Sequence, residues 1–257
     1  MEKIGLIAAM PLESKALHQE IKGWRRSRFG KYQGARFRML DRDCFLITSG
    51  IGCRRAMDAT SALLDATNPQ LLISFGIAGA MQKDLSIGDV IIAQQTCMFE
   101  KGHLVEFRPL AGLTRKCWDA TENILQQVKA TLCLGTTITT RASQLNLDMM
   151  DQVSIPILEM ETSGIAQIAG KNSIPLLSVR AISDGPLAPL PFILENLYDE
   201  KDDLRLVKLI QMLLKQPRTL LQSFRVLRNS QIAANHAAKA VMAILNEPSP
   251  LISELRE

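Results

Sequence analysis

The sequence predicts an α/β protein of three layers, with helices on both faces of a central mixed sheet and a helical extension at the C-terminus. Apolar runs of strand length alternate with helical patterns up to about residue 185. Strands that alternate with helices pair through right-handed crossovers, which places helices on both sides of the sheet. Helices with one polar side are predicted within residues 186–257, so we expect a single domain over residues 1–257 that includes them as a helical extension.

The predicted elements of the first half begin with the buried strand Ile4–Ala9. A helix over Glu13–Ile21 follows Pro11, a residue favoured at helix starts. A strand pair joined by a charged turn comes next, then a helix, and then a short strand that ends in a glycine-containing turn. These are predicted at Ala35–Leu40, Cys44–Thr48 (turn 41–43), Arg54–Ala66 and Leu71–Ser74, with the glycine turn at Gly76–Gly79.

The second half continues the same alternation before the composition changes. Strands are predicted at Asp89–Ala93, Thr136–Thr139, Ile157–Met160 and Leu176–Ala181, and helices at Thr114–Ala130 and Thr162–Lys171. The extension is predicted to contain two helices, Leu204–Leu214 and Leu220–Leu245, separated by Pro217.

Composition excludes several classes of protein. The net charge of +4 is too small to indicate a nucleic-acid binder. The five cysteines are scattered without a CxxC pair, and the three histidines are isolated, which argues against a disulfide framework and against a metal site. No window of about 18 apolar residues predicts a membrane span, and no signal peptide is recognised. We therefore expect a soluble cytoplasmic protein.

Polar residues at the ends of predicted strands mark the candidate site. Ligands of such sheets bind beyond the carboxyl ends of the strands, which here are Gly76–Ala80, Met160–Glu161 and Ser183–Asp184. Two carboxylates there can divide the work, one ionised to hold hydroxyls and one protonated to donate a proton. The alternative makes Glu161 and Glu13 first-turn helix acids and Asp184 a turn residue.

Five blocks of sequence occur in order over about residues 3–185. They are Lys3–Met10 with Glu13, Ser74–Ala80, Ile87–Ile92, Leu158–Thr162 and Val179–Asp184. As a set they resemble the 5′-methylthioadenosine/S-adenosylhomocysteine nucleosidases of the purine nucleoside phosphorylase superfamily. The resemblance implies cleavage of the N-glycosidic bond of a 5′-substituted adenine nucleoside, with no cofactor.

The resemblance also implies residue roles. Asp184 protonates or hydrogen-bonds N7 of the purine, Ser183 orients that carboxyl, and Glu13 acts as general base toward the attacking water. In glycoside cleavage by two carboxyl groups, one group protonates the leaving group and the other stabilises an oxocarbenium-like sugar.

Substrate binding is implied for a second group of residues. Glu161 holds the ribose 2′ and 3′ hydroxyls, and Met160 packs against the sugar. Ile77, Ala78 and Gly79 line the same site. The implied partner is a small-molecule purine nucleoside, and a homodimer or higher homo-oligomer is expected from the family.

Two departures from the nucleosidase pattern concern the substrate contacts. Ile77 stands where the family carries a hydroxyl residue in the glycine segment. Thr139–Leu145 lacks the aromatic residue on which the family stacks the purine, a role that Phe99 or Phe192 could take. These departures also fit a catalytically silent nucleoside-binding protein.

The nucleophile stays open between water and phosphate. Arg54 and Arg55 follow Gly50-Ile51-Gly52 and could hold phosphate as a co-substrate near a helix N-terminus, or could face solvent. Hydrolysis of futalosine is a further alternative within the superfamily.

The extension resembles the hopanoid-associated branch of the superfamily, which releases adenine from a nucleoside with a large terpenoid 5′ group. The resemblance lies in Leu213–Arg218, Leu220-Leu221 and Arg225–Ser230, and Ser74–Ala80 also fits this branch better than it fits the standard nucleosidases. Phosphorolysis of such a nucleoside is therefore an alternative. The basic amphipathic tail could shelter an apolar substituent or lie at a membrane surface, or it could pack on the sheet or on a second subunit.

Overall fold

The computed structural model describes residues 1–100, 103–109, 111–140, 153–185 and 217–252. Within these ranges the chain forms ten strands and five helices. The strands are β1 Glu2–Ala8, β2 Arg25–Phe29, β3 Tyr32–Met39, β4 Arg42–Thr48, β5 Leu71–Ala80, β6 Val90–Glu100, β7 His103–Phe107, β8 Leu132–Thr139, β9 Pro156–Glu159 and β10 Leu176–Asp184. The helices are α1 Pro11–Glu20, α2 Cys53–Thr67, α3 Ala111–Gln127, α4 Thr162–Lys171 and α5 Pro217–Leu245.

All ten strands join one mixed sheet, as the sequence predicts. Strands β4, β1, β5 and β10 run parallel, whereas β2 and β3 add an antiparallel edge next to β4. Strand β10 also pairs with β6, β6 with β8, and β8 with β9. Strand β9 then returns to β5 through Gly79 and Ala80, so five strands close into a small barrel.

Helices cover both faces of the sheet, which confirms the predicted layers. The first face carries α2 and α4, whose Ala59, Leu63 and Ile165 pack against Ile47 and other strand residues. The opposite face carries α1, α3 and α5 around a larger core. Helix α5 contributes its alanines to that core, and small side chains allow it to lie close to the strands. No helix in the described ranges is long and apolar enough to span a membrane.

Buried Arg42 fastens the end of α5 to the amino ends of β1 and β4. Its Nη1 donates to the carbonyl oxygens of Leu245 at 2.8 Å and Glu247 at 2.7 Å, and its Nη2 donates to that of Ser249 at 2.7 Å. Its Nε pairs with Glu2 Oε2 at 3.0 Å. The sequence places Arg42 in a turn, but it is the first residue of β4.

Several predicted boundaries are wrong for identifiable reasons. Gly76–Gly79 is not a turn, because β5 continues to Ala80 while β10 and β9 pair with it along this segment. The last helix begins at Pro217, a residue that suits the first turn of a helix. Strands β2 and β7 were not predicted, and the charged sequence of the edge strand β2 lacks an apolar run. The predicted helix 204–214 lies outside the described residues.

Candidate active site

Glu13 lies in the first turn of α1, directly after the carboxyl end of β1. It is 2% exposed, and its Oε2 accepts hydrogen bonds from the backbone N–H groups of Ala9 and Met10, both at 2.8 Å. Its Oε1 accepts a third bond from the N–H of Ile77 at 3.0 Å. Burial raises the pKa of Glu13, against the opposing effects of the Arg180 charge and these three N–H groups. The three N–H groups fix the orientation of the Glu13 carboxylate, and its raised pKa makes it a better proton acceptor.

Gly76 lies where β5 passes between Glu13 and Arg180. A Cβ atom at this position would collide with Glu13 Oε1 and would lie 2.7 Å from Arg180 Nη1. Glycine is therefore required for the close approach of the strand backbone to both charged groups.

Arg180 points from β10 into the same space and is 1% exposed. Its Nη2 donates to Ser74 Oγ at 2.6 Å, to Thr162 Oγ1 at 2.8 Å and to Glu159 Oε2 at 3.2 Å. Among the described residues, its Nε has no hydrogen-bond partner. A buried N–H without a partner costs free energy, and such groups are rare in folded proteins.

Glu159 anchors the amino end of α4. Its Oε2 accepts from the N–H groups of Glu161 at 2.9 Å and Thr162 at 2.7 Å, and from the Thr162 hydroxyl at 2.8 Å. Its Oε1 accepts from the hydroxyl of Thr139. Glu159 thus accepts hydrogen bonds from the first N–H groups of α4 and also pairs with Arg180. The Glu161 side chain has a different partner.

Glu161 is the N-cap residue of α4 and is buried. Its Oε1 accepts the N–H of Gly52 at 2.8 Å, and Gly52 has a φ of 107°, which favours glycine. Burial and the adjacent Glu159 raise the pKa of Glu161 to about 8, although the Arg180 charge acts in the opposite direction. Glu161 therefore occupies the N-cap position of α4. Its buried carboxyl group is held by a hydrogen bond from Gly52, in the loop before α2.

Asp184 ends β10 beside β5. A register shift between Ile182 and Asp184 lets Asp184 pair with Gly79, and a Cβ on Gly79 would lie 2.9 Å from Asp184 Oδ2. The Ser183 hydroxyl lies 2.6 Å from Asp184 Oδ1. Burial raises the pKa of Asp184, whereas the bond from Ser183 lowers it. The net shift favours the protonated acid relative to an exposed aspartate.

Strand β5 connects the two carboxyl groups. Glu13 contacts it at Ile77 and Asp184 at Gly79, two residues or about 7 Å further along the strand. The Ala78 carbonyl between them accepts from the Ser183 hydroxyl at 3.3 Å. The structure thus places every predicted site residue of β5 and β10 at one end of the sheet.

Other predicted residues have more varied positions. The Met160 N–H donates to Glu161 Oε2 at 3.3 Å, and the Ile77 side chain packs against the core of the α1–α3–α5 face. Arg54 is exposed, while Arg55 lies half-buried beside Gly50. The side chain of Phe99 and all of Phe192 lie outside the described residues.

Three residues of the site lie in the sequence motifs, but no role was predicted for them. Arg180 and Glu159 form the buried ion pair of the site, and Gly52 donates the amide that holds Glu161. The available signal was a charged residue inside the apolar run Leu176–Ile182, because such a residue must find a buried partner. Within the described residues, no group of three or more His, Cys, Asp or Glu is arranged to hold a metal ion.

Comparison with known proteins agrees with this geometry. Residues 3–210 match the family model described as the phosphorylase superfamily. A curated 5′-methylthioadenosine/S-adenosylhomocysteine nucleosidase of Buchnera aphidicola is 30% identical over 198 residues, covering 71% of this chain and 84% of the relative. One from Haemophilus influenzae is 31% identical over 198 residues, covering 71% and 86%.

Solved structures share the fold. A 5′-methylthioadenosine/S-adenosylhomocysteine nucleosidase of Neisseria meningitidis superposes with a TM-score of 0.71 at 20% identity, covering 96% of this chain and 99% of the other. A futalosine hydrolase mutant of Helicobacter pylori superposes with a TM-score of 0.70 at 16% identity, covering 96% and 100%. The family match, the curated relatives and the end-of-sheet site agree: the chain belongs to the phosphorylase superfamily.

Proposed function

We propose that the protein hydrolyses the N-glycosidic bond of a 5′-substituted adenine nucleoside and releases adenine. The observation that carries this proposal is the separation of two oriented carboxyl groups along β5, with Asp184 at Gly79 and Glu13 at Ile77. The names of the curated relatives support the same reaction.

Asp184 supplies the acid. Burial raises the pKa of Asp184, which favours the protonated form, and Ser183 holds Oδ1 so that the other oxygen is free to face the base. As the bond from C1′ to the base breaks, its electron pair leaves with the purine and the Asp184 proton moves to N7. This transfer turns a poor leaving group into neutral adenine.

Glu161 and Glu13 act on the sugar and on water. The ionised form of Glu161 accepts the ribose hydroxyls and stabilises the positive charge that develops on the sugar, and its population grows as pH rises toward the pKa of about 8. Glu13 accepts a proton from the attacking water while the water oxygen bonds to C1′.

The charges of the site favour water over phosphate as the nucleophile. Three buried carboxyl groups, Glu13, Glu159 and Glu161, surround Arg180, and Glu159 already pairs with that arginine. A phosphate dianion would meet repulsion from the ionised forms at this place. Hydrolysis therefore fits the site better than phosphorolysis.

We further propose a cytoplasmic homodimer built from one domain of residues 1–257. All five cysteines are free thiols, which suits a reducing compartment, and α5 shares a core with α1 and α3. A terpenoid 5′ group and the homodimer rest on family resemblance alone. Sedimentation velocity tests the dimer, and a panel of nucleosides with increasingly large 5′ groups tests the substituent.

The proposal is tested by Glu13→Gln, assayed with 5′-methylthioadenosine by chromatography of free adenine. We expect turnover to fall by about 10²–10⁴-fold, because the amide cannot accept the proton of water. Nucleoside binding, measured by calorimetry, should persist. The matched control is Asp43→Asn at the far end of β4, which should retain activity. Release of adenine by Glu13→Gln at the wild-type rate, or binding without turnover by the wild type, would overturn the proposal.

A further inference from the structure

The amino-terminal half of α5 differs from the rest of the helix in what it exposes. Phe224 is 67% exposed and Leu227 is 63% exposed, one helical turn apart. Only Met1 and Leu40 are comparably exposed large apolar residues in the described part of the chain. From Ala233 onward, in contrast, five of the six alanines of α5 are buried in the core. The same helix therefore packs on the sheet at one end and presents large apolar side chains to solvent at the other.

Positive charge flanks these apolar side chains. Arg225 and Arg228 are exposed and lie on adjacent positions of the same turns. The surrounding sequence, residues 204–246, contains seven Lys or Arg and no Asp or Glu, although the whole chain has a net charge of only +4. Residues 21–40 also contain seven Lys or Arg and no Asp or Glu, and four acidic residues lie within Asp199–Asp203, just before residue 204. The basic residues next to the exposed apolar side chains are therefore Arg225 and Arg228.

A cleft of about 440 Å³ opens beside this part of α5. Phe224, Arg225, Arg228 and Ile232 line it from the helix, and Ile87 lines it from the turn before β6. Ile87 precedes Gly88, whose N–H donates to the carbonyl of Ile182 at 2.8 Å, two residues before Asp184. The cleft therefore adjoins the end of the sheet that carries the candidate site.

We propose that the exposed half of α5, defined by Phe224, Arg225, Leu227 and Arg228, docks on an anionic lipid bilayer. Apolar side chains bordered by arginines match the boundary between acyl chains and negatively charged headgroups. Residues 204–246 contain no Asp or Glu, so the helix itself contributes no acidic side chain that an anionic surface would repel. Docking would place the cleft, and the strand ends next to it, at the membrane surface. The inference does not depend on the proposed hydrolysis.

The test is co-sedimentation of the full chain with vesicles of phosphatidylcholine, with and without about 30 mol% phosphatidylglycerol. We expect binding to the anionic vesicles that weakens as salt is added. Arg225→Gln with Arg228→Gln should weaken it by roughly 30-fold, at about fivefold for each arginine. Phe224→Glu with Leu227→Glu should abolish it.

Leu40→Glu provides the matched control, because Leu40 is 54% exposed in the turn between β3 and β4. It should bind like the wild type, and thermal unfolding should show that all variants are folded. Equal binding to neutral and anionic vesicles, no binding at all, or unchanged binding by Phe224→Glu/Leu227→Glu would each overturn the proposal. So would dissociation of a wild-type oligomer by that variant without any lipid binding, since the surface would then belong to a second copy.

Discussion

Two buried arginines at opposite ends of the sheet serve different purposes. Arg42, 3% exposed at the amino end, gives its hydrogen bonds to three carbonyl oxygens and to Glu2. Arg180, 1% exposed at the carboxyl end, pairs with Glu159 and two hydroxyls and keeps one N–H without a described partner. Each side-chain nitrogen of Arg42 has a hydrogen-bond partner, whereas Nε of Arg180 has none among the described residues.

The carboxyl groups around the two arginines differ in the same way. Glu2 pairs with Arg42 and also accepts the N–H of Ile252 at 3.0 Å, so it joins the two ends of the chain. At the other end, burial raises the pKa of Glu13, Glu161 and Asp184 together. Raised carboxyl pKa values cost stability at neutral pH, and such clusters are typical of catalytic sites. The buried charges at the amino end of the sheet thus stabilise the fold, whereas those at the carboxyl end form a site suited to proton transfer.

The largest difference should appear with Asp184→Asn. We expect turnover of 5′-methylthioadenosine to fall by about 10²–10⁴-fold, because the amide has no proton to give to N7. The fold should persist, since Ser183 can still bond to the remaining oxygen. Circular dichroism and steady-state kinetics measure both quantities. A wild-type rate for Asp184→Asn would show that another group is the acid.

Arg42→Met should separate stability from activity. Removing one member of a buried ion pair costs about 3–5 kcal/mol, and three carbonyl oxygens also lose their donor. Arg42 lies six residues, about 20 Å, from the active end of β4. Urea unfolding should therefore show the loss, while kcat per folded molecule stays unchanged. A parallel fall of kcat would mean that the two ends of the sheet are coupled.

Glu161→Gln should stabilise the protein in a pH-dependent manner. The raised pKa of about 8 means that the protonated side chain contributes stability that is complete below about pH 4 and is lost as pH rises through 8. The neutral amide avoids that loss and can keep the bond from Gly52. We expect a gain of about 1–3 kcal/mol at pH 9 and little change at pH 4, measured by thermal unfolding. A gain that is the same at both pH values would contradict burial of an ionisable Glu161.

Ser183→Ala should have the smallest effect. Loss of one hydrogen bond of about 1 kcal/mol to Asp184 predicts a roughly fivefold lower kcat. Ser183 lowers the pKa of Asp184, so its removal should raise that pKa and move the alkaline limb of the pH–rate profile to higher pH. Ser183→Thr should restore both. A limb that moves to lower pH would show that Ser183 does not stabilise the ionised acid.

Local signals predicted much of the fold. Helix α4 begins at Thr162 and ends at Lys171 as predicted, because an apolar helical pattern begins there after a strand. Glu13 and Asp184 lie at one end of the sheet because β1, β5 and β10 are parallel and bring their carboxyl ends together. Glu161 instead follows β9, which runs antiparallel to β5.

Long-range pairing explains what the sequence did not predict. The closure of the barrel depends on the contact of β9 with Gly79 and Ala80, which pairs segments far apart in sequence. The pairing of Arg180 with Glu159, rather than Glu161, depends on how α4 sits against β10. Neither register nor the choice between two neighbouring glutamates is encoded in a local pattern.

The most direct test of the proposed chemistry is product analysis with 5′-methylthioadenosine in phosphate-free buffer and again with phosphate. The carboxylate site predicts equal release of adenine in both, with a free sugar as the second product. Adenine release that requires phosphate and yields a sugar 1-phosphate would contradict hydrolysis at this site.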